Sequence, residues 1–506
     1  MDLKLISAWD LKTVVPISPF AMIWLLVAAF LVFIMVPSIG FLEAGLTRRK
    51  NAIHGLMKSL AAVGIMSVIW TIVGFSLAFS PDTLGGLIGN PLRFLFGQPM
   101  DTAWPVSLDS AGTPAAGVPL FVFMIFQTMF AAVTLALIGA GVPERMRFSA
   151  WLLFSLFFSL IVYPLVAHWV WSPNGILATL GTVTGLLPGM GVRDFAGGVV
   201  VHVQAGFAGL AVTLALGASI KREIQVTARE AGITEITPPS PEALAATQAA
   251  ANGKKKTTRH GGLPLPVLAR ELGEPYGYSI PLAVIGTALL WFGWFGFNPG
   301  SSLDVNMQTA AAAVATNLAA ALGGTVALLL AKFIDGKYDP IMAISGILGG
   351  LVMITPNAGF VDPFGAATLG ILAGAVTFAA VKLMDRYLYH VDDPIGGFPV
   401  HGVNGAIGSL AVPLFANPAL ASISGITTPG LFYGGGTAAL TWFLLQAIGV
   451  IVSIIFVTAV CWGFVKVVAL VTEPRASIEE ELVGLDVADH GVAAEVPATA
   501  PAPAAG

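Results

Sequence analysis

Two histidines occupy the same place in two copies of one pattern. Residues 194–206 read DFAGGVVVHVQAG and residues 393–405 read DPIGGFPVHGVNG, and both fit D-x2-G-G-x2-V-H-x3-G. If His202 and His401 meet away from water, both rings stay neutral, because a low-polarity surrounding penalises the imidazolium. A neutral pair shares one N–H and still offers one donor and one acceptor. Such a pair suits a small solute that both donates and accepts hydrogen bonds, such as ammonia or water. It suits a large permanent cation poorly. The alternative is two separate histidines, each hydrogen-bonded to neighbouring helices. The Gly-Gly before each histidine favours a close helix crossing, with both imidazoles turned into a common space.

A second group of residues is aromatic. IFQTMFAA places Phe126 and Phe130 four apart on one helix face, HWVWSPNG carries Trp171, and WFGWFGFNPGS carries Trp294, Phe297 and Ser301. Singly, a membrane Trp reads as an interfacial anchor and a Phe as packing. Together they put aromatic faces and a hydroxyl at the outer ends of three helices, which is the chemistry of a cation site. Asp194, at a helix start, reads as a cap for free N–H groups. Two histidines with one aspartate make a thin metal site, and there is no HExxH. No metal, no cofactor and no enzymatic activity are expected. The lone cysteine, Cys461, excludes an intramolecular disulfide and reads as inert packing.

These residues must be held by elements that lipid tolerates. Of 506 residues 56% are apolar and only 10% charged, against about a quarter charged in a soluble chain. Nothing in the chain points to nucleic acid. Eleven apolar segments run near 20–44, 52–79, 119–142, 148–172, 195–220, 277–298, 307–333, 340–356, 365–388, 395–415 and 436–471. Most are long enough to span a bilayer, and in lipid they must be helices to satisfy their own backbone. The fold class is an all-α polytopic membrane protein with eleven transmembrane helices.

Basic residues set the orientation. Arg48, Arg49 and Lys50, then Arg145 and Arg147, Lys221 and Arg222, Lys332 and Lys337, and Lys382 and Arg386 fall in alternate loops, with only Arg93 and Arg193 opposite. The N-terminus is thus expected outside and the C-terminus in the cytoplasm. The two pattern copies then enter the membrane from opposite sides, as in a 5+5 inverted repeat with a final added helix. In such folds the substrate path runs between the halves. Straight helices would place each histidine roughly 10 Å in from its own face, leaving ~10 Å between them along the membrane normal.

Residues 1–19 lack an apolar h-region and read as an extracytoplasmic N-terminus rather than a cleaved signal. Residues 20–471 are the transmembrane domain, with a polar cytoplasmic insertion at 221–276 whose run Lys254-Lys255-Lys256 reads as solvated or lipid-touching. Residues 472–506 form a cytoplasmic tail, expected to be disordered after about 491.

Several long motifs, in order, give the chain a family resemblance. FLEAGLTRRKN, FQTMFAAVTLALIGAGVPERMRFSA, HWVWSPNG, DFAGGVVVH, WFGWFGFNPGS, DDPIGGFPVHGVNG and GLDVADHG resemble the ammonium transporter (Amt/Rh) family, covering residues 20 to about 491 apart from most of the 221–276 loop. The resemblance implies an outer ammonium site from Phe126, Trp171 and Ser301, and a gate of stacked rings from Phe130 and Phe297. It implies twin pore histidines at His202 and His401, with Asp194 and Trp294 as supporting residues. It further implies ammonium or ammonia as substrate, a homotrimer with one pore per subunit, a plasma-membrane location, and a PII-type signal protein as cytoplasmic partner. Trp171 and Ser301 point to the Amt branch rather than to an Rh-type gas channel. Gly396 stands where many relatives are acidic, which leaves open a polar contact at the cytoplasmic mouth. The GLD piece of the tail reads either as a docking segment or as a solvated acidic tail. The competing functional class is a transporter-like ammonium sensor acting through a partner, although no recognisable signalling domain follows residue 491.

Overall fold

The computed structural model describes residues 4–10, 12–108, 113–230, 271 and 277–494. Eleven apolar helices follow one another among them: α1 Pro19–Leu46, α2 Arg49–Phe79, α3 Leu120–Ala140, α4 Phe148–Trp171, α5 Gly198–Leu216, α6 Ile280–Gly300, α7 Met307–Asp335, α8 Pro340–Ile354, α9 Pro363–Tyr387, α10 Phe398–Phe415 and α11 Gly436–Val468. Ten are long and apolar enough to cross a membrane, and α8 is the short one. The sequence supplies their starts. Ser18, Asn306, Asp339 and Asp362 accept first-turn N–H groups of α1, α7, α8 and α9. Pro19, Pro340 and Pro363 take early positions where no N–H is needed.

Burial sorts the helices. Phe20, Ile23, Val27 and Phe30 are exposed at helical spacing on α1, as are Leu440, Leu444, Ile451 and Ile455 on α11, so these apolar faces point out of the bundle. By contrast α3 and α5 are 83% and 78% enclosed over their apolar windows, which makes them the centre of the bundle.

A small sheet was not foreseen. β1 Lys4–Ser7, β2 Val14–Pro16, β3 Thr102–Leu108 and β4 Pro114–Pro119 pair in the order β2-β1-β3-β4. Two antiparallel hairpins are joined by a parallel β1–β3 pairing, Ile6 opposite Thr102 and Ser7 opposite Ala103. The N-terminal segment is thereby stitched to the loop between α2 and α3.

On the opposite face the tail folds back. α12 Ile478–Val483 and α13 Leu485–His490 reach the start of α2 and two inter-helix loops. The Leu485 N–H donates to Asn51 Oδ1 (2.8 Å) and the His54 N–H to Asp486 (2.7 Å); Arg147 pairs with Glu480 (3.0 Å), and Ile220 N–H donates to Glu481 (2.7 Å). Asp486 and Glu481 are buried, so the solvated-tail reading fails over this stretch. The start of the 221–276 insertion is the helix Ile220–Glu230. Glu271 lies between Arg48 (2.6 Å) and Lys50 (2.9 Å). Burial opposes its charge, but the two cations outweigh it and hold the carboxyl below the usual range. The Lys254-Lys255-Lys256 run and residues after 494 lie outside the described residues.

A buried ion pair ties α1 to α2. Lys58 bonds Glu43, both fully buried, and its ammonium also donates to Gly139 O at 2.8 Å. Removing one partner of such a pair strands the other charge, at a cost of about 3–5 kcal/mol. Lys58→Met should therefore lower the thermal unfolding midpoint in detergent, and adding Glu43→Met should recover most of the loss. A single variant as stable as wild type would show that the pair carries no weight.

Candidate functional site

His202 sits in the opening turns of α5, and His401 in those of α10. Their Nδ1 atoms are 3.3 Å apart, and the rings stack at 5.3 Å between centroids and 19° between planes. The ~10 Å separation given by straight helices is corrected. The helices begin at Gly198 and Phe398, three residues later than the apolar runs at 195 and 395 suggested, and both open with a π-helical turn, Gly198–Val203 and Phe398–Val403. If the Nδ1 atoms share one proton, one Nε2 is left a donor and the other an acceptor. His202 Nε2 is buried with no hydrogen-bond partner.

Each helix start is held by the aspartate of its pattern copy. Asp194 Oδ1 accepts from Gly197 and Gly198 N–H (2.8 and 2.6 Å), and its Oδ2 from Val199 and Val200 (2.8 and 3.0 Å). Asp393 accepts from Gly397 and Phe398 N–H (2.9 and 2.8 Å). The first glycine of each pair takes a left-handed φ, +119° at Gly197 and +74° at Gly396, which other residues resist. The close crossing is made mainly by the last glycine of each copy. A β-carbon on Gly206 would lie 2.2 Å from the Gly402 nitrogen, and one on Gly405 2.9 Å from the His202 β-carbon.

Aromatic rings stand next to the histidines. Phe130 and Phe297 stack at 4.2 Å and 25°. Phe297 lies 5.9 Å from the His202 ring, and Trp294 stacks on that ring at 5.5 Å and 17°, its indole N–H donating to Thr355 Oγ1 at 3.0 Å. On the other side of the Phe pair opens a vestibule of about 420 Å³ whose lining includes Phe126, Trp171 and Ser301. Phe126 and Trp171 are 4.8 and 5.9 Å from Phe130. Ser301 donates its hydroxyl proton to Phe297 O (2.8 Å), which leaves its lone pairs to accept. The Trp171 indole N–H is held by Asp194 O at 2.8 Å. All nine residues singled out in the sequence therefore line or adjoin one column.

Past His401 the space narrows to about 10 Å³ between that ring, Leu137, Phe398 and Asp393. It opens again into a mouth of about 330 Å³ that includes Asp339, Asp385, Asp392, Asp393, Arg222 and Lys382. Gly396 lines this mouth, and a β-carbon there would meet nothing within 4 Å. The mouth is thus polar without an acidic residue at that position. Among the described residues no group of three or more His, Cys, Asp or Glu side chains is placed to hold a metal ion.

The family model described as Ammonium Transporter Family matches residues 23–238 and 268–495. The chain belongs to this family. It is 34% identical to an ammonium transporter of Bacillus subtilis (strain 168) over 472 residues, 93% of this chain and 96% of that one. It is 33% identical to the ammonium transporter Amt1 of Archaeoglobus fulgidus over 467 residues, 92% and 97% of the two chains. Among solved structures, a Sensor Amt Protein is similar with a TM-score of 0.71 at 27% identity, covering 93% of this chain and 98% of its own. Saccharomyces cerevisiae Mep2 follows at 0.68 and 30%, covering 88% and 87%.

The structure brings to the site residues that sequence reasoning passed over. Asp393 carried a signal, since it opens the second pattern copy. Gln127 follows Phe126, lines the vestibule and has a buried Oε1 without a hydrogen-bond partner. Thr355 steadies Trp294 across helices, and nothing local marks it. For Asp194, Ala in its place would leave four buried N–H groups unpaired, each costing about 1–3 kcal/mol. Asp194→Ala should lose at least ~3 kcal/mol of stability, read as a lowered unfolding midpoint. A midpoint unchanged from wild type would remove the capping role.

Proposed function

We propose that the chain transports ammonium across a cell membrane. In this reading the cation is held over Phe126 and Trp171 with Ser301 accepting an N–H, and is stripped of water. It then gives up its proton on entering the constriction at Phe130 and Phe297. Ammonia passes between the rings and along His202 and His401, and the proton follows separately or returns. The observation that carries this reading is the histidine pair itself. Two buried imidazoles at 3.3 Å with one Nε2 free serve a small donor–acceptor solute, and they adjoin an aromatic vestibule suited to its protonated form.

The protein sits in the plasma membrane with its N-terminus outside, and the acidic mouth and folded tail in the cytoplasm. Residues 20–471 form the transporter domain, three copies assemble with one pore each, and the 221–276 insertion and tail offer a cytoplasmic face to a PII-type signal protein. A second reading, an ammonium sensor, is favoured by the likeness to a Sensor Amt Protein.

Uptake of methylammonium into proteoliposomes and the accompanying current test both. Hydrogen bonds worth ~1–3 kcal/mol at a constriction correspond to about tenfold to hundredfold in rate. His202→Ala and His401→Ala should each change rate by that order or lose selectivity. Trp171→Leu should raise the half-saturating concentration about fivefold, in line with one cation–π contact. Wild type that moves neither ammonium nor methylammonium under any gradient would end the transport reading in favour of the sensor. Histidine variants matching wild type in rate and selectivity would end the pore assignment.

A further inference from the structure

The outer vestibule is much larger than its small solute requires. It measures about 420 Å³, whereas a water-sized molecule occupies ~30 Å³. The surplus is walled by rings outside the proposed ammonium site. Trp9 and Trp104 line the same cavity, together with Phe79 and Phe123. The sheet puts them there: Ser7 of β1 pairs with Ala103 of β3, and Ala8 N–H donates to Ala103 O at 2.8 Å. Trp9 then meets Trp104 edge-to-face at 6.2 Å, and Trp104 stacks on Phe123 at 4.1 Å and 4°. Phe123 and Phe126 lie three apart on α3, so the sheet-borne rings and the inner rings form one continuous wall.

The charge in this cavity is as informative as the rings. No carboxylate lines it among the described residues. Among the described residues Arg193 is its one charged lining residue, and that guanidinium is tied to the carbonyls of Ala178 (3.1 Å) and Gly189 (3.1 Å). A cage that attracts cations through ring faces and a few neutral oxygens such as those of Gln127 and Ser301, with no carboxylate, gives little return for stripping a strongly hydrated ion. It favours a weakly hydrated organic cation.

We propose that the vestibule binds quaternary ammonium cations between the sheet-borne tryptophans and the inner rings, and that an occupied cage blocks the pore. A quaternary nitrogen has no proton to give up, and the Phe130–Phe297 stack at 4.2 Å bars its passage. Binding rests on the cavity; the block rests on the transport reading above.

Tetramethylammonium chloride is the probe, with sodium chloride as the ionic-strength control. Titration calorimetry on the purified protein reads binding, and methylammonium uptake into proteoliposomes reads the block. Wild type should bind the probe and lose uptake in parallel. Trp9→Ala should weaken both about fivefold, the loss of one ring contact, with uptake in the absence of probe unchanged, and Trp9→Phe should restore most of the effect. Uptake that responds to the probe no more than to sodium, without measurable binding, overturns the proposal and leaves the transport reading intact. Binding equal to wild type in Trp9→Ala also overturns it. Binding in a protein that takes up no methylammonium supports the cage and sinks the transport reading instead.

Discussion

A helix that starts inside a membrane exposes N–H groups where lipid offers no acceptor. The carboxylate of Asp194 meets that demand at α5 by taking four amides at once. Asp393 takes two at α10. With the orphan donors satisfied, both helices open at the histidine-bearing turn, about one turn later than the apolar runs begin. The glycines of the same pattern then let the two halves approach until a β-carbon at Gly206 or Gly405 would collide with the opposite helix. The imidazole contact follows from these two conditions, and the Phe and Trp rings beside it pack onto a pair already fixed in place.

The extremities complete the frame from both sides. On one face the chain's first strands are sewn to the loop after α2. On the other, α12 and α13 bind the first turns of α2 and the loops after α3 and α5. Both ends of the sequence therefore brace the same bundle, and the central helices α3 and α5 are enclosed by their neighbours rather than by lipid. The mouth past His401 stays polar although Gly396 lacks a side chain, because Asp339, Asp385, Asp392 and Asp393 come from three separate segments.

The helices were legible because long apolar runs have one outcome in lipid, and the segment limits fell within a few residues of the observed ones. The site residues were legible because the pattern occurs twice and the aromatic motifs are long. What escaped were features whose signal is not local. The π-helical openings at Gly198 and Phe398 broke the straight-helix estimate, since hydrophobicity cannot report where a backbone begins to coil. The sheet escaped because its strands are short, three of them carry proline, and they pair across a whole hairpin of helices. The Trp294–Thr355 bond joins residues 61 apart in sequence, and neither residue announces the other. The GLD segment was read two ways, and only its contacts with Asn51 and His54 separate them.

Two phenyl rings 4.2 Å apart leave no aperture between them, and this sets a tempo. On the proposed route each transit must wait for a packed aromatic side chain to swing aside and return. Such a conduit works as a turnstile, admitting single molecules at intervals. A continuous thread of water cannot form through such a closed stack, so on the proposed route a proton that crosses needs a path other than a water wire between these rings.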